Sequence, residues 1–192
     1  DDSAPLPRIV MSTGAYTFDA DGNLLFGYDK LKHGQAKRIG RITRDVPGRQ
    51  IVIYEGASRV DASLPDKVVA IDNKGNLLWQ HEVIQPDMQE GGFGFWLGDW
   101  DGDGLDEVFV NDPEKVLVLN GRGELIDTIP DHLIYVFDLW GDSRAEAITI
   151  DKIEPGMKLR IVTNDRANSE PASNALIQRR MTTPAMYNST RY

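Results

Sequence analysis

Carboxylates alternate along one short stretch of the chain, residues 99–107. Asp99, Asp101 and Asp103 occupy positions 1, 3 and 5 of this stretch, and Glu107 occupies position 9. Gly104 at position 6 can take a positive φ without a steric penalty, so the backbone can curl and bring alternate residues to one point. Oxygen donors around one centre are the ligands that Ca²⁺ prefers. The predicted calcium ligands are Asp99, Asp101, Asp103, Leu105 through its carbonyl, and Glu107.

The residues on either side indicate that this loop joins two strands. An EF-hand loop shares positions 1, 3, 5 and 6, but it also needs a Glu at position 12 and a helix on each side. Here the flanks are FWL at residues 95–97 and VFV at residues 108–110, which are typical of strands. The alternative is an acidic turn without a metal, in which the clustered carboxylates would repel one another.

Composition narrows the class of protein. The chain has 192 residues, of which 41% are hydrophobic and 27% are charged, as is usual for a globular protein. No apolar run is long enough to cross a membrane. A net charge of −9 argues against nucleic acid as a partner. Cysteine is absent, so no disulfide framework is expected, and the start of the chain at Asp1 suggests a processed product or an excised piece.

A hairpin phrase recurs three times along the chain. It reads YTFDADGNLLF at residues 16–26, AIDNKGNLLW at 70–79 and VLNGRGELI at 118–126. In each copy an Asp or Asn stands three residues before a glycine, between two apolar runs. This pattern predicts a tight turn with the glycine in the left-handed conformation, followed by a return strand.

A second pattern, a strand followed by a loop and a strand, alternates with the hairpins at residues 39–53, 96–110 and 136–148. Each unit therefore contains a strand, a loop, a strand and then the two strands of a hairpin. Four antiparallel strands in about 40–50 residues is the size of one β-propeller blade. The sequence therefore predicts an all-β protein: a partial β-propeller of about three to four four-stranded blades over residues 1–165. Residues 166–192 are expected to form an irregular segment that packs on the blades.

The loops of the three units differ in their charges. In the third, Asp138, Asp142 and Glu146 match positions 1, 5 and 9, but Arg144 stands where the second loop has Leu105. We interpret this loop as one in which the Arg144 guanidinium replaces the cation, with weak binding of a second ion as the alternative. The first loop carries Arg41 and Arg44 in place of acids and is expected to bind no metal.

Four motifs in order carry a resemblance to a known family: GDWDGDG at residues 98–104 with Glu107, WGDSRAE at 140–146, LRIVTN at 159–164 and YNSTRY at 187–192. Together they resemble the C-terminal half of rhamnogalacturonan lyases of polysaccharide lyase family 11 and of related lyase-like propeller proteins. The resemblance implies a calcium-stabilised propeller with a substrate cleft at its centre, and cleavage of pectic rhamnogalacturonan by β-elimination. The chain accounts for about half of the blades that this resemblance implies, and therefore for about half of a central cleft.

β-Elimination needs a base, a cation that offsets the growing charge on the carboxylate, and a proton for the leaving oxygen. Residues 30–38 hold several basic side chains, which form either a solvated loop or a rim that recognises carboxylates. The catalytic candidates are His33, Arg38 and Tyr187. The substrate-binding candidates are Lys32 and Arg59.

The sequence thus favours part of a secreted or periplasmic lyase-like protein, because an oxygen-only calcium site fills best where calcium is millimolar. Its expected partners are an acidic plant polysaccharide and either further propeller blades or a second copy of the chain. The alternative is a non-catalytic, calcium-stabilised propeller module that binds glycans or proteins or builds an extracellular assembly.

Overall fold

The computed structural model describes residues 9–11, 15–84, 95–113, 115–153 and 156–164 of the chain. Regular structure in these ranges is almost entirely β, as the sequence predicts. One short 3₁₀ turn, Ala57–Arg59, interrupts it. The strands are β1 Ile9–Met11, β2 Tyr16–Phe18, β3 Leu24–Phe26, β4 Gly34–Gly40, β5 Gln50–Glu55, β6 Asp66–Ile71, β7 Leu77–Val83, β8 Phe95–Gly98, β9 Glu107–Asn111, β10 Lys115–Leu119, β11 Leu125–Pro130, β12 His132–Phe137, β13 Glu146–Ile153 and β14 Gly156–Val162.

The strands form four antiparallel sheets in which each strand pairs with its neighbours in sequence. Sheet 1 contains β1–β3, sheet 2 contains β4–β7, sheet 3 contains β8–β11 and sheet 4 contains β12–β14. Sheets 2 and 3 therefore have the predicted order of strand, loop, strand and hairpin. No helix in the described part of the chain is long and apolar enough to span a membrane.

The three predicted hairpin turns are confirmed and share one hydrogen-bonding pattern. The side chain of Asp72 accepts hydrogen bonds from the backbone N–H groups two and four residues later, at 2.8 Å each. Asp19 and Asn120 accept the equivalent pairs. Gly75 follows with φ of +87°, which a residue with a Cβ would adopt only under strain. The turns join β2 to β3, β6 to β7 and β10 to β11, and their chemistry sets the register of these three strand pairs.

Successive sheets pack face to face because alternate residues of a strand point to opposite sides. In β5, Ile51 and Ile53 enter the core between sheets 1 and 2, whereas Val52 and Tyr54 enter the core between sheets 2 and 3. In β9, Phe109 enters the core between sheets 3 and 4. The first strands β4, β8 and β12 also contact one another in that order. Each inner sheet is thus covered on both faces.

Part of the basic run at residues 30–38 is a strand, so its interpretation as a solvated loop is wrong for residues 34–38. Strand β4 begins at Gly34, and its Lys37 and Arg38 pair in register with Ile53 and Val52. Strand β5 is buried along its whole length, so pairing with it outweighs the polarity of β4. The predicted C-terminal segment, residues 166–192, lies outside the described residues.

Candidate functional site

The loop between β8 and β9 curls around the side chain of Asp99. Its Oδ1 accepts a hydrogen bond from the Gly102 N–H at 2.7 Å, and its Oδ2 accepts one from the Gly104 N–H at 2.9 Å. Both glycines have a positive φ, +80° and +85°. The predicted role of Gly104 is therefore confirmed, and Gly102 acts in the same way. The loop places the carboxylate of Asp99, which is only 1% exposed, at its centre.

Three of the five predicted ligands come together. One carboxylate oxygen from each of Asp99, Asp101 and Glu107 lies within 4.8 Å of the others. Asp99 and Glu107 are buried, and Asp101 is half-buried. Three carboxylate oxygens at this spacing can coordinate one divalent cation, and the remaining positions would be filled by carbonyl or water oxygens.

A fourth predicted ligand, Asp103, lies outside that cluster, and the carbonyl of Leu105 stays a predicted ligand. The carboxylate of Asp103 is 3.6 Å from the Arg44 guanidinium, which also donates a hydrogen bond to the Asp103 carbonyl. The Leu105 N–H donates to Asp103 Oδ1 at 2.7 Å. The Arg44 that distinguishes the first loop thus reaches across to the second loop and offsets the charge of one of its acids.

The electrostatics of Glu107 favour a bound cation. Burial is the largest of the effects that together raise the pKa of its carboxyl to about 8; the Trp100 N–H opposes it, and the nearby charges of Asp101, Asp99 and Asp103 add to it. That N–H donates to Glu107 Oε2 at 2.7 Å. Without a cation, a proton is therefore favoured on this carboxyl near neutral pH. A divalent cation would displace that proton, because metal ligands must be deprotonated.

The third loop, residues 138–146, repeats this geometry with a protein cation. Asp138 accepts hydrogen bonds from the Gly141 and Ser143 N–H groups at 2.6 and 3.0 Å, as Asp99 does from its own loop. Glu146 accepts from the Leu139 N–H at 2.7 Å, as Glu107 does from Trp100. Arg144 forms an ion pair with Asp142 at 2.6 Å, as Arg44 does with Asp103, the acid at the same position of the second loop. The replacement of the ion by the Arg144 guanidinium stays a prediction.

The first loop, residues 41–49, uses an amide instead. Gln50 stands where the second loop has Glu107, and its Oε1 accepts a hydrogen bond from the Ile42 N–H at 2.9 Å. Its Nε2 donates to the carbonyls of Gly48 and Val46 at 2.9 and 3.4 Å. In the first loop the amide group of Gln50 thus donates to loop carbonyls from the position at which the second loop has a carboxylate. Sequence comparison alone identified the missing acids but not the role of Gln50.

A row of aromatic side chains with an arginine crosses the first strands of three successive sheets. The Arg38 guanidinium of β4 lies over the Trp96 ring of β8, 4.6 Å from its centroid. The Trp96 ring is 4.3 Å from Tyr135 of β12, and Tyr135 is 5.4 Å from Phe137. Tyr135 and Phe137 are 39% and 37% exposed, so part of each ring meets solvent. We call these four residues the aromatic row.

The sequence could not reveal the aromatic row, because its members come from three separate strands that are far apart in the chain. It placed Trp96 beside the acidic loop and Arg38 in a basic run, with no indication that they would meet. The pairing of an arginine with an aromatic face across a sheet interface is decided by packing.

The remaining predicted site residues lie elsewhere. The His33 carbonyl accepts a hydrogen bond from the Gly56 N–H at 2.9 Å, and the exposed Lys32 donates its own N–H to Glu55. Arg59 is exposed on the 3₁₀ turn that follows Gly56. These residues are grouped at the end of β4 opposite to the acidic loops, about 20 Å away by strand length. Tyr187 lies outside the described residues.

Comparison with protein families, with characterised proteins and with solved structures finds no match for this chain.

Proposed function

We propose that this chain is a calcium-stabilised, propeller-like module that binds an acidic glycan along its aromatic row. In this proposal the module belongs to a secreted or periplasmic lyase-like protein that acts on pectic rhamnogalacturonan. The class of glycan comes from the resemblance of four motifs to polysaccharide lyases. The aromatic row provides the binding surface, and it is the observation on which the proposal rests.

The chemistry of the aromatic row suits a chain of sugar rings that carry carboxylates. The apolar face of a pyranose stacks on exposed aromatic rings, and Tyr135 and Phe137 are two partly exposed rings with centroids 5.4 Å apart and planes at 71° to each other. Arg38 stands at the other end of the row, and one of its N–H groups is held by the Lys37 carbonyl at 3.0 Å. A guanidinium in this position suits a uronate carboxylate, because arginine presents a planar fork of N–H donors that matches carboxylate geometry.

Calcium has a structural role in this proposal. In the first loop Gln50 stands at the position of Glu107, and in the third loop Arg144 pairs with Asp142. In this proposal these protein groups take the place of an ion in the two sibling loops. An ion bound by Asp99, Asp101 and Glu107 would hold the loop between β8 and β9 and would take no part in bond cleavage. A site made only of oxygen ligands fits a compartment where calcium is millimolar.

Isothermal titration of the protein with rhamnogalacturonan oligosaccharides, in calcium, tests the binding proposal. Replacing Tyr135 by Ala should weaken binding roughly tenfold, because one stacked ring contributes about 1–1.5 kcal/mol. The matched control is Trp140→Ala, which removes an aromatic side chain that is 62% exposed and not part of the row. Equal losses in both variants, or equal affinity for a neutral galactan, would contradict the proposal.

Cleavage is a separate step of the same proposal. A lyase of this type leaves an unsaturated uronate, whose ultraviolet absorbance rises as the polysaccharide is cut. We expect that rise from a protein that contains this chain together with any further blades. Binding without any unsaturated product would leave the alternative, a non-catalytic glycan-binding module.

A further inference from the structure

We propose that Arg44 competes with the proposed calcium ion for the carboxylate of Asp103, and that this competition keeps the calcium affinity of the loop between β8 and β9 low. Arg44 belongs to the preceding loop, between β4 and β5. Without its guanidinium, Asp103 would become a fourth carboxylate ligand beside Asp99, Asp101 and Glu107. The competition rests on the proposed calcium site and identifies the residue that tunes it.

Asp103 adjoins the cluster of three carboxylates without belonging to it. Its backbone N–H donates to Asp101 Oδ1 at 3.1 Å, so its main chain contacts one of the proposed ligands. Its own Oδ1 accepts a hydrogen bond from the Leu105 N–H at 2.7 Å, and its Oδ2 lies 3.6 Å from the Arg44 guanidinium. The acid at position 5 of the loop therefore has a protein cation as its partner, where the alternating carboxylates predict an ion.

Hydrogen bonds between the two loops bring Arg44 to this position. The Arg41 N–H donates to Asp106 Oδ2 at 2.8 Å, and the Asp106 N–H donates to the Arg41 carbonyl at 2.8 Å. Three residues further along the first loop, the Arg44 guanidinium also donates to the Asp103 carbonyl. These contacts all fall on residues 103–106, between two of the proposed ligands. The arginine and an ion would therefore act on the same short segment.

The third loop contains the same kind of pair. Asp142 occupies position 5 of that loop, and the Arg144 guanidinium lies 2.6 Å from its carboxylate. An arginine thus partners the acid at position 5 in both loops, from the same loop in the third and from the preceding sheet in the second. In the second loop this pair stands beside three carboxylates whose oxygens lie within 4.8 Å of one another. A choice between arginine and ion is therefore built into that loop.

Solvent exposure sets the size of the expected effect. The side chains of Arg44 and Asp103 are 61% and 40% exposed, so water weakens their attraction. Exposed ion pairs shift an equilibrium by at most about fivefold. Loss of the pair would free one more charged ligand, and calcium affinity rises with the number of charged ligands. We therefore expect calcium to bind about fivefold more tightly when the Arg44 guanidinium is removed.

Calorimetric titration of the full 192-residue chain with calcium chloride tests the competition. Arg44→Gln should lower the Kd for calcium about fivefold. The matched control is Arg41→Gln, which removes the same charge from another exposed side chain of the same loop and keeps the backbone hydrogen bonds to Asp106. Its Kd should stay within about twofold of the native value, because salt screens an exposed charge that has no direct contact with Asp103. Circular dichroism melting of every variant checks that it is folded.

A double-mutant cycle with Asp103→Asn separates the competition from a general effect of charge. In the native background this substitution should weaken calcium binding less than Asp101→Asn does, because Arg44 already pairs with the Asp103 carboxylate. In the Arg44→Gln background it should reverse the whole gain in affinity.

Three results would overturn the competition and leave the calcium site standing. They are a native Kd in Arg44→Gln, an equal gain in Arg41→Gln, and a gain in Arg44→Gln that survives the addition of Asp103→Asn. Weakening by Asp103→Asn alone that equals the effect of Asp101→Asn would also overturn it, because Asp103 would then be a ligand already. If neither the native chain nor Arg44→Gln binds calcium, the site and the competition are refuted together.

Discussion

Replacing Asp101 by Asn tests the proposed calcium site with little disturbance of the loop itself. The Asp101 side chain accepts one hydrogen bond, from the Asp103 N–H at 3.1 Å, and an Asn oxygen can accept the same bond. Asp99 is a poorer choice, because its carboxylate also holds the Gly102 and Gly104 N–H groups and its loss would open the loop with or without an ion. The substitution therefore removes one charged ligand from a cluster of three.

The expected size of the effect follows from mass action. Extracellular calcium modules bind with Kd values of roughly 10⁻⁴–10⁻³ M. At a calcium concentration about 100 times the Kd, an ion that binds only the folded state adds about 2.7 kcal/mol to the free energy of unfolding. In a chain of this size each kcal/mol raises the Tm by about 2–4 °C. With a Kd of about 10⁻⁴ M, the native protein should therefore melt about 5–10 °C higher in about 10 mM calcium than in chelator.

Differential scanning fluorimetry in calcium and in chelator measures this difference. We expect the Asp101→Asn variant to lose most of the calcium-dependent rise in Tm. Asp21→Asn removes a carboxylate from an exposed turn residue outside the cluster and should keep the full rise. If the native protein melts at the same temperature in both solutions, the metal assignment is refuted. If Asp101→Asn responds to calcium as the native protein does, Asp101 is not a ligand.

Three further predictions concern stability and can be measured by urea denaturation. Burial lowers the pKa of Lys37 to about 8, so between about pH 8 and 10.5 the unfolded chain binds more protons and the free energy of unfolding should rise with pH. Lys37→Met should remove this pH dependence and raise the free energy of unfolding by about 1–2 kcal/mol at neutral pH, after a discount for solvent screening. A Cβ on Gly121 would lie 1.8 Å from the Ile42 carbonyl oxygen, so Gly121→Ala should lower the free energy of unfolding by about 2–4 kcal/mol. The control Gly22→Ala has no atom within 4 Å of its Cβ and should lower it by only about 1 kcal/mol, because the φ of Gly22 is positive. Gln50→Glu would put a carboxylate against two loop carbonyls in a fully buried position and should cost about 2–4 kcal/mol, so an unchanged denaturation midpoint would contradict the proposed role of this amide.

Local patterns in the sequence predicted most of the strands and the three hairpin turns, but not β1 or the part of β4 before Ile39. Alternating apolar residues fix which residues can face a core, and an Asp or Asn three residues before a glycine fixes a turn, since both depend on neighbours in the chain. The same reasoning predicted the loop around Asp99 and the positive φ of Gly104, because the hydrogen bonds that shape this loop form within six residues. It also predicted the all-β architecture and the unit of strand, loop, strand and hairpin.

Contacts between sheets were decided by the tertiary structure alone. Asp103 faces Arg44 of the preceding loop, and Arg38 meets Trp96 across a sheet interface, although each pair is far apart in sequence. Strand β4 extends into a basic run because the buried strand β5 supplies its hydrogen-bond partners. A local pattern specifies the two faces of a strand, but which sheet meets each face depends on packing. For that reason the sequence could not predict that Asp103 faces Arg44 and lies outside the carboxylate cluster, or that the aromatic row forms.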